Sequence, residues 1–423
     1  MKLKVLWVTP VLTYDAADFL GVAALGSGGW ISTMSSKLSQ FTESIELHIL
    51  TMLDSEIATT STAIINNVSY HFLNAKGSVF KDKHSIASPL KVIINSLQPD
   101  IIDIQGVEFH YAKYIPSLSG DAKCVATLQG IISQISHHYK GGLDFWDEVT
   151  NRTIRDNLSF DGISERKLKY FRRGQSEVEA LKNINHYIGR TSWDKAQSLA
   201  INANASYYHN QRVIREEFTR VNWDVAKCKR FSIFVSQGHA PFKGLHQVIK
   251  AMSLLRVKYP YISLVVAGRS KMSGSYKDKI SSNGYDKYLR KLVEKLNLSG
   301  HIDFIGPQNA ADMAYNMKNS HVYVIPSFIE NSPNSLAEAQ SVGTPSIGTF
   351  VGGIPDMIEH GVTGFLYNPY DYQVLASLLS KIFESDMLST ELSDNALSYT
   401  KKVYQATDEV KSLISIYSEI CNG

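Results

Sequence analysis

Residues 321–366 read HVYVIPSFIENSPNSLAEAQSVGTPSIGTFVGGIPDMIEHGVTGFL. The first seven residues form an almost continuously apolar segment that ends at Ser327, and a short loop then carries Glu330. Ser332 followed by Pro333 is a typical N-cap and first-turn pair, which predicts that a helix begins there. An apolar strand that leads into a helix in this way indicates a parallel α/β sheet with both faces buried.

The same alternation of apolar strand and helix-like stretch recurs along the chain. The strand segments are KVLWVTP, ELHILTML, IIDIQG, KCVATLQG, HYIGRT, FSIFVSQG, ISLVVAG, HIDFIG and HVYVIPS. They fall into two series, at about 1–210 and 230–385, which the polar stretch 215–230 separates. We therefore predict an α/β protein with two Rossmann-like doubly wound domains that face each other across a cleft. In open parallel sheets the ligand lies beyond the carboxyl ends of the strands, so the site is sought there.

The composition is that of an ordinary globular protein. The 423 residues suffice for two to three domains, and 44% of them are hydrophobic. The net charge of +3 is unevenly distributed: residues 1–150 carry 10 basic and 14 acidic side chains, 151–300 carry 28 and 12, and 301–423 carry 5 and 14. The three blocks therefore have charges of −4, +16 and −9. The central excess indicates anionic partners.

Several classes of protein are excluded at this stage. Three widely spaced cysteines, with no Cys-x-x-Cys pair, exclude a disulfide framework and a structural zinc site. The apolar run near the start is too short for a signal peptide, and the uncharged runs 19–36 and 57–75 are too polar for a membrane span. We expect a cytoplasmic protein, at the cytoplasmic face of the inner membrane if it is peripheral.

The loop and helix after Ser327 suggest a binding site. The backbone amides of Asn334, Ser335 and Leu336 would open the helix and favour an anion. Glu330 and Glu338 lie eight positions apart on either side of that opening, so both carboxylates could contact one ligand. A sugar nucleotide fits this arrangement. The alternative that remains open is that both are acidic residues of the kind that helix starts commonly carry.

The ordered motifs of this stretch resemble the retaining glycosyltransferases of family 4, of the bacterial surface-polysaccharide type. The resemblance rests on two glutamates separated by seven residues and on the segments that follow them: Gly343-Thr344-Pro345, Gly352-Gly353-Ile354-Pro355 and Gly361–Leu366. It implies a GT-B fold. It also implies that Glu330 orients the donor sugar in catalysis and that Ser332, Asn334, Ser335, Leu336 and Glu338 bind the donor.

Two further segments match the family in the expected order. Gly28-Gly29-Trp30 follows the first strand and resembles the glycine-rich turn against the donor diphosphate. Residues 235–252 resemble the phosphate-binding strand–loop–helix, in which Lys243 would neutralise the leaving diphosphate.

The same region departs from the family at one point. Many members place an arginine a few residues before the lysine, whereas this loop has Ser236, Gln237, Gly238 and His239. Gly238 is still expected beside the donor, with Arg269 as a substitute cation. Residues near Pro307 are expected to contact the nucleotide base.

The acceptor side is less well marked. Family members often have histidines at the strand ends of the N-terminal domain, and here Gln129 occupies such a position. His110 and His138 lie just beyond strand ends and are the other candidates, although each is more readily explained as an ordinary surface or buried histidine. The resemblance implies an acceptor-binding domain at 1–218, joined by a returning helix at 403–423, and a donor-binding domain at 219–402.

The implied activity is a retaining, metal-independent transfer of sugar from a UDP-, GDP- or similar nucleotide sugar, with no cofactor and no metal. The expected acceptor is a saccharide, lipid-linked, in cell-envelope polysaccharide synthesis. The basic run 152–173 would meet an anionic membrane, and nucleic acid is not an expected partner. Two alternatives remain: a nucleotide-sugar epimerase or hydrolase on the same scaffold, and a non-catalytic protein that binds sugar nucleotides.

Overall fold

A computed structural model describes residues 2–22, 28–53, 61–75, 84–269, 272 and 281–423. The chain divides into two compact units. Unit 1 comprises residues 1–133, 172–214 and 404–423, and unit 2 comprises residues 134–171 and 215–403. The expected border at 218/219 thus lies close to the observed one at 214/215, but residues 134–171 group with unit 2 and not with the N-terminal part of the chain.

Unit 1 contains an eight-stranded sheet in the order β3-β4-β2-β1-β5-β6-β7-β8. Its strands are β1 (Leu3–Thr9), β2 (Ile45–Leu53), β3 (Ser61–Ile65), β4 (Val68–Asn74), β5 (Ile101–Gln105), β6 (Lys123–Thr127), β7 (His186–Gly189) and β8 (Ser206–His209). All neighbours are parallel except β3 and β4, which form an antiparallel hairpin. Successive residues of β1 point into different cores, since Val5 and Trp7 belong to one buried cluster and Leu6 and Val8 to the other. Burial on both faces explains the unbroken apolar runs in the sequence.

The helices that lie wholly within unit 1 connect these strands or cover the sheet. They are α1 (Tyr14–Phe19), α2 (Gly29–Leu38), α3 (Ala87–Leu97), α4 (Ile115–Leu118), α9 (Ser192–Ile201) and α17 (Ala406–Asn422), with short 3-10 helices at His84–Ile86 and His110–Tyr114. Two further helices begin near the borders of the units: α5 (Ile132–His138) starts at the end of the first stretch of unit 1, and α8 (Ile163–Lys182) runs from unit 2 into unit 1.

The last helix, α17, is built into the core of unit 1. The hydroxyl of Tyr417, which is fully buried, donates to Asp103 Oδ2 at 2.5 Å and accepts from Trp7 Nε1 at 2.9 Å. Asp103 also accepts from Thr127 Oγ1 at 2.7 Å and from Gln105 Nε2 at 2.7 Å. Burial raises the pKa of Asp103 to about 6, although the hydrogen bond from Tyr417 opposes the shift. The network joins α17 to β1, β5 and β6.

Unit 2 contains a six-stranded parallel sheet in the order β11-β10-β9-β12-β13-β14. Its strands are β9 (Lys229–Val235), β10 (Ser263–Ala267), β11 (Ile302–Gly306), β12 (Ser320–Ile325), β13 (Ser346–Thr349) and β14 (Phe365–Tyr367). The remaining helices are α6 (Phe145–Asn151), α7 (Ile154–Ser159), α10 (Glu216–Thr219), α11 (Leu245–Leu255), α12 (Gly284–Lys295), α13 (Ala310–Asn319), α14 (Asn334–Val342), α15 (Tyr372–Glu384) and α16 (Asp386–Val403), with 3-10 helices at Pro241–Lys243 and Ile354–Asp356.

Residues 134–171 pack on the loop that follows β9. The ring of Tyr139 lies 5.5 Å from that of Phe242, and the ring of Tyr170 lies 6.0 Å from it. Gly141 has a φ of +57°, and a Cβ there would come within 2.1 Å of the carbonyl oxygen of Pro241. This close approach requires glycine. The segment therefore supports the loop that carries Lys243.

Candidate functional site

The strand order of the unit 2 sheet reverses between the neighbouring strands β9 and β12. From β9, strands β10 and β11 follow on one side, while β12, β13 and β14 lie on the other. Loops that leave two adjacent strands in opposite directions open a crevice at the carboxyl edge of the sheet, where such folds bind ligands. The loop after β9 leads to Lys243, and the loop after β12 leads to Glu330.

These two predicted catalytic side chains meet. Lys243 Nζ lies 2.5 Å from Glu330 Oε1, and Ser327 Oγ donates to the same oxygen at 2.8 Å. Each of the two charged side chains is only 16% exposed. The arrangement holds a cation and a carboxylate side by side at the switch point of the sheet. A ligand with an anionic and a hydroxyl-bearing part could engage both.

Two glycines of the predicted motifs allow the backbone to approach closely here. Gly244 has a φ of +71°, and a Cβ on it would come within 1.9 Å of the carbonyl oxygen of Pro326. Gly352, with a φ of +53°, lies against the carbonyl of Glu330, where a Cβ would come within 1.8 Å. The amide of Gly353 donates to that same carbonyl at 3.1 Å. The glycines therefore fix the backbones that present Lys243 and Glu330.

Helix α14 begins one residue later than the sequence predicted. Its N-cap is Pro333, so Ser332 lies in the preceding loop and is not the capping residue. The amide of Leu336 is already used, since it donates to the Pro333 carbonyl at 3.1 Å. Ser332–Pro333 is a strong sequence signal, but proline here takes an extended backbone with ψ of 117° instead of the first helical turn. Asn334 and Ser335 are the first two residues of the helix.

A buried tyrosine that the sequence analysis did not single out connects this helix to the loop after β9. Tyr323 Oη lies 2.9 Å from Ser236 Oγ and donates to Ser335 Oγ at 2.8 Å. Burial raises the pKa of the Tyr323 hydroxyl, so it stays protonated. Tyr323 therefore positions the start of α14 relative to β9.

Glu338, predicted to bind the donor, is already paired with an arginine. Arg215 donates to Glu338 Oε1 from Nε at 2.9 Å and from an Nη at 2.6 Å. The exposed fractions of the two side chains are 14% and 7%. Arg215 lies at the border of the two units, in the polar stretch that the sequence analysis took as a divider, and only its spatial contact reveals its role.

The loop that lacks the expected arginine is nevertheless surrounded by positive charge. The pKa of His239 is lowered to about 4, first by burial and then by Lys243, Arg166 and Arg269. Arg166, which the sequence analysis placed only in a basic run, is itself held by Asp161 at 2.7 Å. His239 is therefore neutral at pH 7, and three cations lie close enough to disfavour its protonation.

The other donor-side candidates lie along the same edge of the sheet. A Cβ on Gly238 would meet Leu245 Cδ2 at 2.5 Å, so a small residue is needed for the loop to pack on α11. Arg269 follows β10, and Pro307 follows β11, the edge strand. The side chain of Gln308 turns back to donate to the Ile305 carbonyl at 2.7 Å.

In unit 1, the predicted glycine-rich turn opens helix α2. Gly28 is the N-cap and Gly29 the first helical residue, and Ser32 Oγ donates to the Gly28 carbonyl at 2.9 Å. A Cβ on Gly28 would come within 2.4 Å of the Leu12 carbonyl oxygen. Glycine is therefore needed here by the fold itself.

The three acceptor candidates differ in environment. His110 is buried in unit 1, with Nδ1 2.7 Å from Ser176 Oγ. His138 is exposed and belongs to unit 2. Gln129 follows β6 in unit 1, and both polar atoms of its amide are buried without a hydrogen-bonding partner among the described residues. A buried amide without a hydrogen-bonding partner costs free energy unless a water or ligand binds it. Gln129 is therefore the best of the three candidates for contacting an acceptor.

Among the described residues, no group of three His, Cys, Asp or Glu side chains is placed to hold a metal ion. Across the same ranges, no helix is both long and apolar enough to cross a membrane.

Sequence comparisons match part of the chain. The family model described as "Glycosyl transferases group 1" matches residues 216–400. A D-inositol 3-phosphate glycosyltransferase of Corynebacterium glutamicum is 26% identical over 179 residues, which are 42% of this chain and 41% of that protein. One of Mycobacterium bovis is 30% identical over 133 residues, 31% of this chain and 26% of that protein. The chain thus matches less than half the length of these relatives.

Solved structures extend the likeness in fold to nearly the whole chain. Sucrose-phosphate synthase from Thermosynechococcus elongatus has a TM-score of 0.73 at 15% identity, with 98% of each chain covered. Anabaena HepE, solved in complex with UDP-glucose, has a TM-score of 0.64 at 14% identity, with 99% of this chain and 100% of HepE covered. The predicted α/β GT-B fold is confirmed. Residues 216–400 match the group 1 glycosyltransferase model, which supports the predicted resemblance to family 4.

Proposed function

We propose that this protein transfers a sugar from a nucleotide diphosphate sugar to a saccharide acceptor. The observation that carries the proposal is the contact of 2.5 Å between Lys243 and Glu330 at the switch point of the unit 2 sheet, inside the stretch that matches the group 1 family. The donor would bind at unit 2, and the acceptor at unit 1. Transfer would retain the anomeric configuration and need no metal ion.

The site residues would divide the chemistry between them. As the bond to the leaving diphosphate breaks, negative charge grows on its oxygens, and Lys243 would stabilise that charge as a fixed cation. The amides at the start of α14 would add to it, since a helix N-terminus favours anions. Competition by the diphosphate for Lys243 would release Glu330 to accept hydrogen bonds from the sugar hydroxyls. Glu330 would orient the sugar and would not form a covalent bond.

We propose the donor and acceptor classes from the likeness to proteins of known ligand or name. HepE was solved with UDP and with UDP-glucose, so we propose a UDP- or GDP-sugar as the donor. The sequence relatives carry the name D-inositol 3-phosphate glycosyltransferase. We propose a saccharide acceptor that is lipid-linked, in the assembly of a cell-envelope polysaccharide at the cytoplasmic face of the membrane.

A binding and transfer assay tests the proposal. Thermal unfolding is followed with a panel of nucleoside diphosphates and their sugars, and transfer is measured by release of nucleoside diphosphate with saccharide and lipid-linked acceptors. Glu330→Gln should lower transfer about 100-fold or more while binding of the nucleoside diphosphate persists. Glu359→Gln, an exposed loop carboxylate of the same unit, is the matched control and should act like the parent protein.

Three outcomes would contradict the proposal. The first is that no member of the panel raises the unfolding temperature. The second is equal transfer activity of Glu330→Gln and Glu359→Gln. Consumption of the donor at an unchanged rate without any acceptor would instead support an epimerase or hydrolase.

A further inference from the structure

The segment of helices α6 and α7 in unit 2 exposes large apolar side chains and buries polar ones. Five large apolar side chains here are between 63% and 78% exposed: Phe145, Trp146, Ile154, Leu158 and Phe160. Three polar side chains of the same two helices are at most 9% exposed: Glu148, Asn151 and Asp156. Globular proteins normally do the reverse, and a cluster of exposed large apolar residues marks an interaction surface.

The buried polar groups hold this surface in place. Glu148 accepts from Lys140 Nζ at 2.8 Å and from the backbone amide of Ser164 at 2.9 Å. Asp156 accepts from the amide of Thr153 at 3.1 Å, within a capping box that starts α7. These contacts fix the backbone of the two helices, from which the apolar side chains point outward.

Most of the basic residues expected to face a membrane are already paired. Arg152 is paired with Glu165, while Asp161 binds Arg166 at 2.7 Å and Lys169 at 2.8 Å. Asp161 also lies 3.3 Å from Arg155. Four of the seven basic side chains in the run 152–173 are therefore in ion pairs, and the run keeps a net charge of +4. The apolar side chains, and not this run, are the main feature of the surface.

Two lysine side chains from another helix reach this surface. Lys287 and Lys291 of α12 each place Nζ 3.4 Å from the carbonyl oxygen of Thr150, at the end of α6. Among the residues that the structure describes, both ammonium groups contact backbone carbonyls and form no ion pair. An apolar face with lysines at its border matches the acyl chains and phosphates of an anionic bilayer.

We propose that Phe145–Phe160 with Lys287 and Lys291, hereafter the lipid-binding surface, inserts into the interfacial region of an anionic bilayer. Helices of seven and six residues are only about 10 Å long, so they would lie in the interface and not span the membrane. This inference rests on the proposed function, because a lipid-linked acceptor would be met at that interface. The occupant is lipid and not a second copy, since lysines bordering an apolar patch pair well with lipid phosphates.

Vesicle binding by the full chain tests the surface. The parent protein should co-sediment with phosphatidylcholine vesicles that contain phosphatidylglycerol. Ile154→Ser combined with Leu158→Ser should lower the partition coefficient at least tenfold. Val257→Ser with Tyr261→Ser is the matched control, because these unit 2 side chains are 87% and 84% exposed outside the surface, and it should bind as the parent does.

The fluorescence of Trp146 is an independent measure of insertion into the bilayer. All five tryptophans lie among the described residues, and only Trp146 is exposed. Its emission should shift to shorter wavelength with vesicles and be quenched by brominated acyl chains, and Trp146→Phe should remove both effects. Lys287→Ser with Lys291→Ser should weaken binding to anionic vesicles about tenfold and leave binding to pure phosphatidylcholine unchanged.

The outcomes separate this inference from the proposed function. Equal vesicle binding by the Ile154/Leu158 variant and its control, or the absence of vesicle binding, would overturn the lipid-binding surface. So would a parent dimer in solution that the variant alone converts to a monomer. Binding of nucleotide sugars in solution does not depend on the surface, so a failure there would overturn only the proposed function.

Discussion

Replacing Tyr417 by Phe tests how the last helix is held in unit 1. The change removes one oxygen and leaves the ring in place. Asp103 then loses a donor at 2.5 Å, and Trp7 Nε1 loses an acceptor at 2.9 Å, both in a fully buried position. A hydrogen bond to a charged group contributes about 1.5–3 kcal/mol, and a buried donor left without an acceptor costs about 1–3 kcal/mol. We expect a loss of about 4 kcal/mol in the free energy of unfolding.

The loss should depend on pH, because Asp103 titrates in the network. Its pKa in the folded protein, about 6, lies above the ordinary value of 3.8, so its contribution to stability is greatest at low pH. That contribution is lost as the pH rises through the window from about 4 to 6, at a cost of about 3 kcal/mol. The hydrogen bond from Tyr417 lowers the pKa of Asp103, so removing the hydroxyl raises that pKa further. The free energy of unfolding then continues to fall at higher pH. Tyr417→Phe should therefore destabilise the protein more at pH 8 than at pH 5.

Urea unfolding, followed by tryptophan fluorescence at both pH values, measures this difference. Tyr111→Phe is the matched control: Tyr111 is also a fully buried tyrosine of unit 1, but its hydroxyl has no hydrogen-bonding partner among the described residues. The control should change stability by less than about 0.5 kcal/mol. A loss below about 1 kcal/mol for Tyr417→Phe, or the same loss at pH 5 and pH 8, would refute the reasoning.

Three other predictions concern unit 2. Lys243→Ala should lower transfer about 100-fold or more, while Lys250→Ala on the next helix leaves it nearly unchanged; equal rates in the transfer assay would remove Lys243 from the site. Arg215→Ala should lower the free energy of unfolding by about 3 kcal/mol, because the buried Glu338 loses its ion pair with Arg215. Adding Glu338→Gln to the same chain should restore part of that loss, as measured in a denaturant double-mutant cycle. Gly352→Ala should lower the thermal midpoint by several degrees, since its Cβ would come within 1.8 Å of a backbone oxygen at a φ of +53°; an unchanged midpoint would show that the loop can relax.

The sequence was sufficient to predict the buried parallel strands. All nine apolar segments are strands in the structure, and burial on both faces of the central strands explains their unbroken apolar runs. Strands β3 and β4 were missed, although Asn66 and Asn67, both with positive φ, form a recognisable hairpin turn between them. The short strands β8, β13 and β14 carry too few residues to show a pattern. The group 1 match also confirms the family resemblance.

The site could be predicted only where motifs were local. Lys243 and Glu330 were found from their loops, but their contact depends on the order of strands β9 and β12 in the sheet. Arg215 pairs with Glu338 across 123 residues of sequence, and no local pattern marks it. The grouping of residues 134–171 with unit 2 is likewise a property of packing, which neither composition nor spacing reveals.

The discontinuous make-up of unit 1 has a consequence for how the protein is made. Its core includes Val410, Leu413 and Tyr417, and these residues are synthesised only after the last residue of unit 2. Until then the sheet around Trp7 and Asp103 lacks the helix that completes it. During translation unit 2 can therefore finish folding first, while the earlier-made part of unit 1 still exposes apolar surface. On the ribosome, this interval is when the nascent chain is most open to aggregation and to chaperone binding.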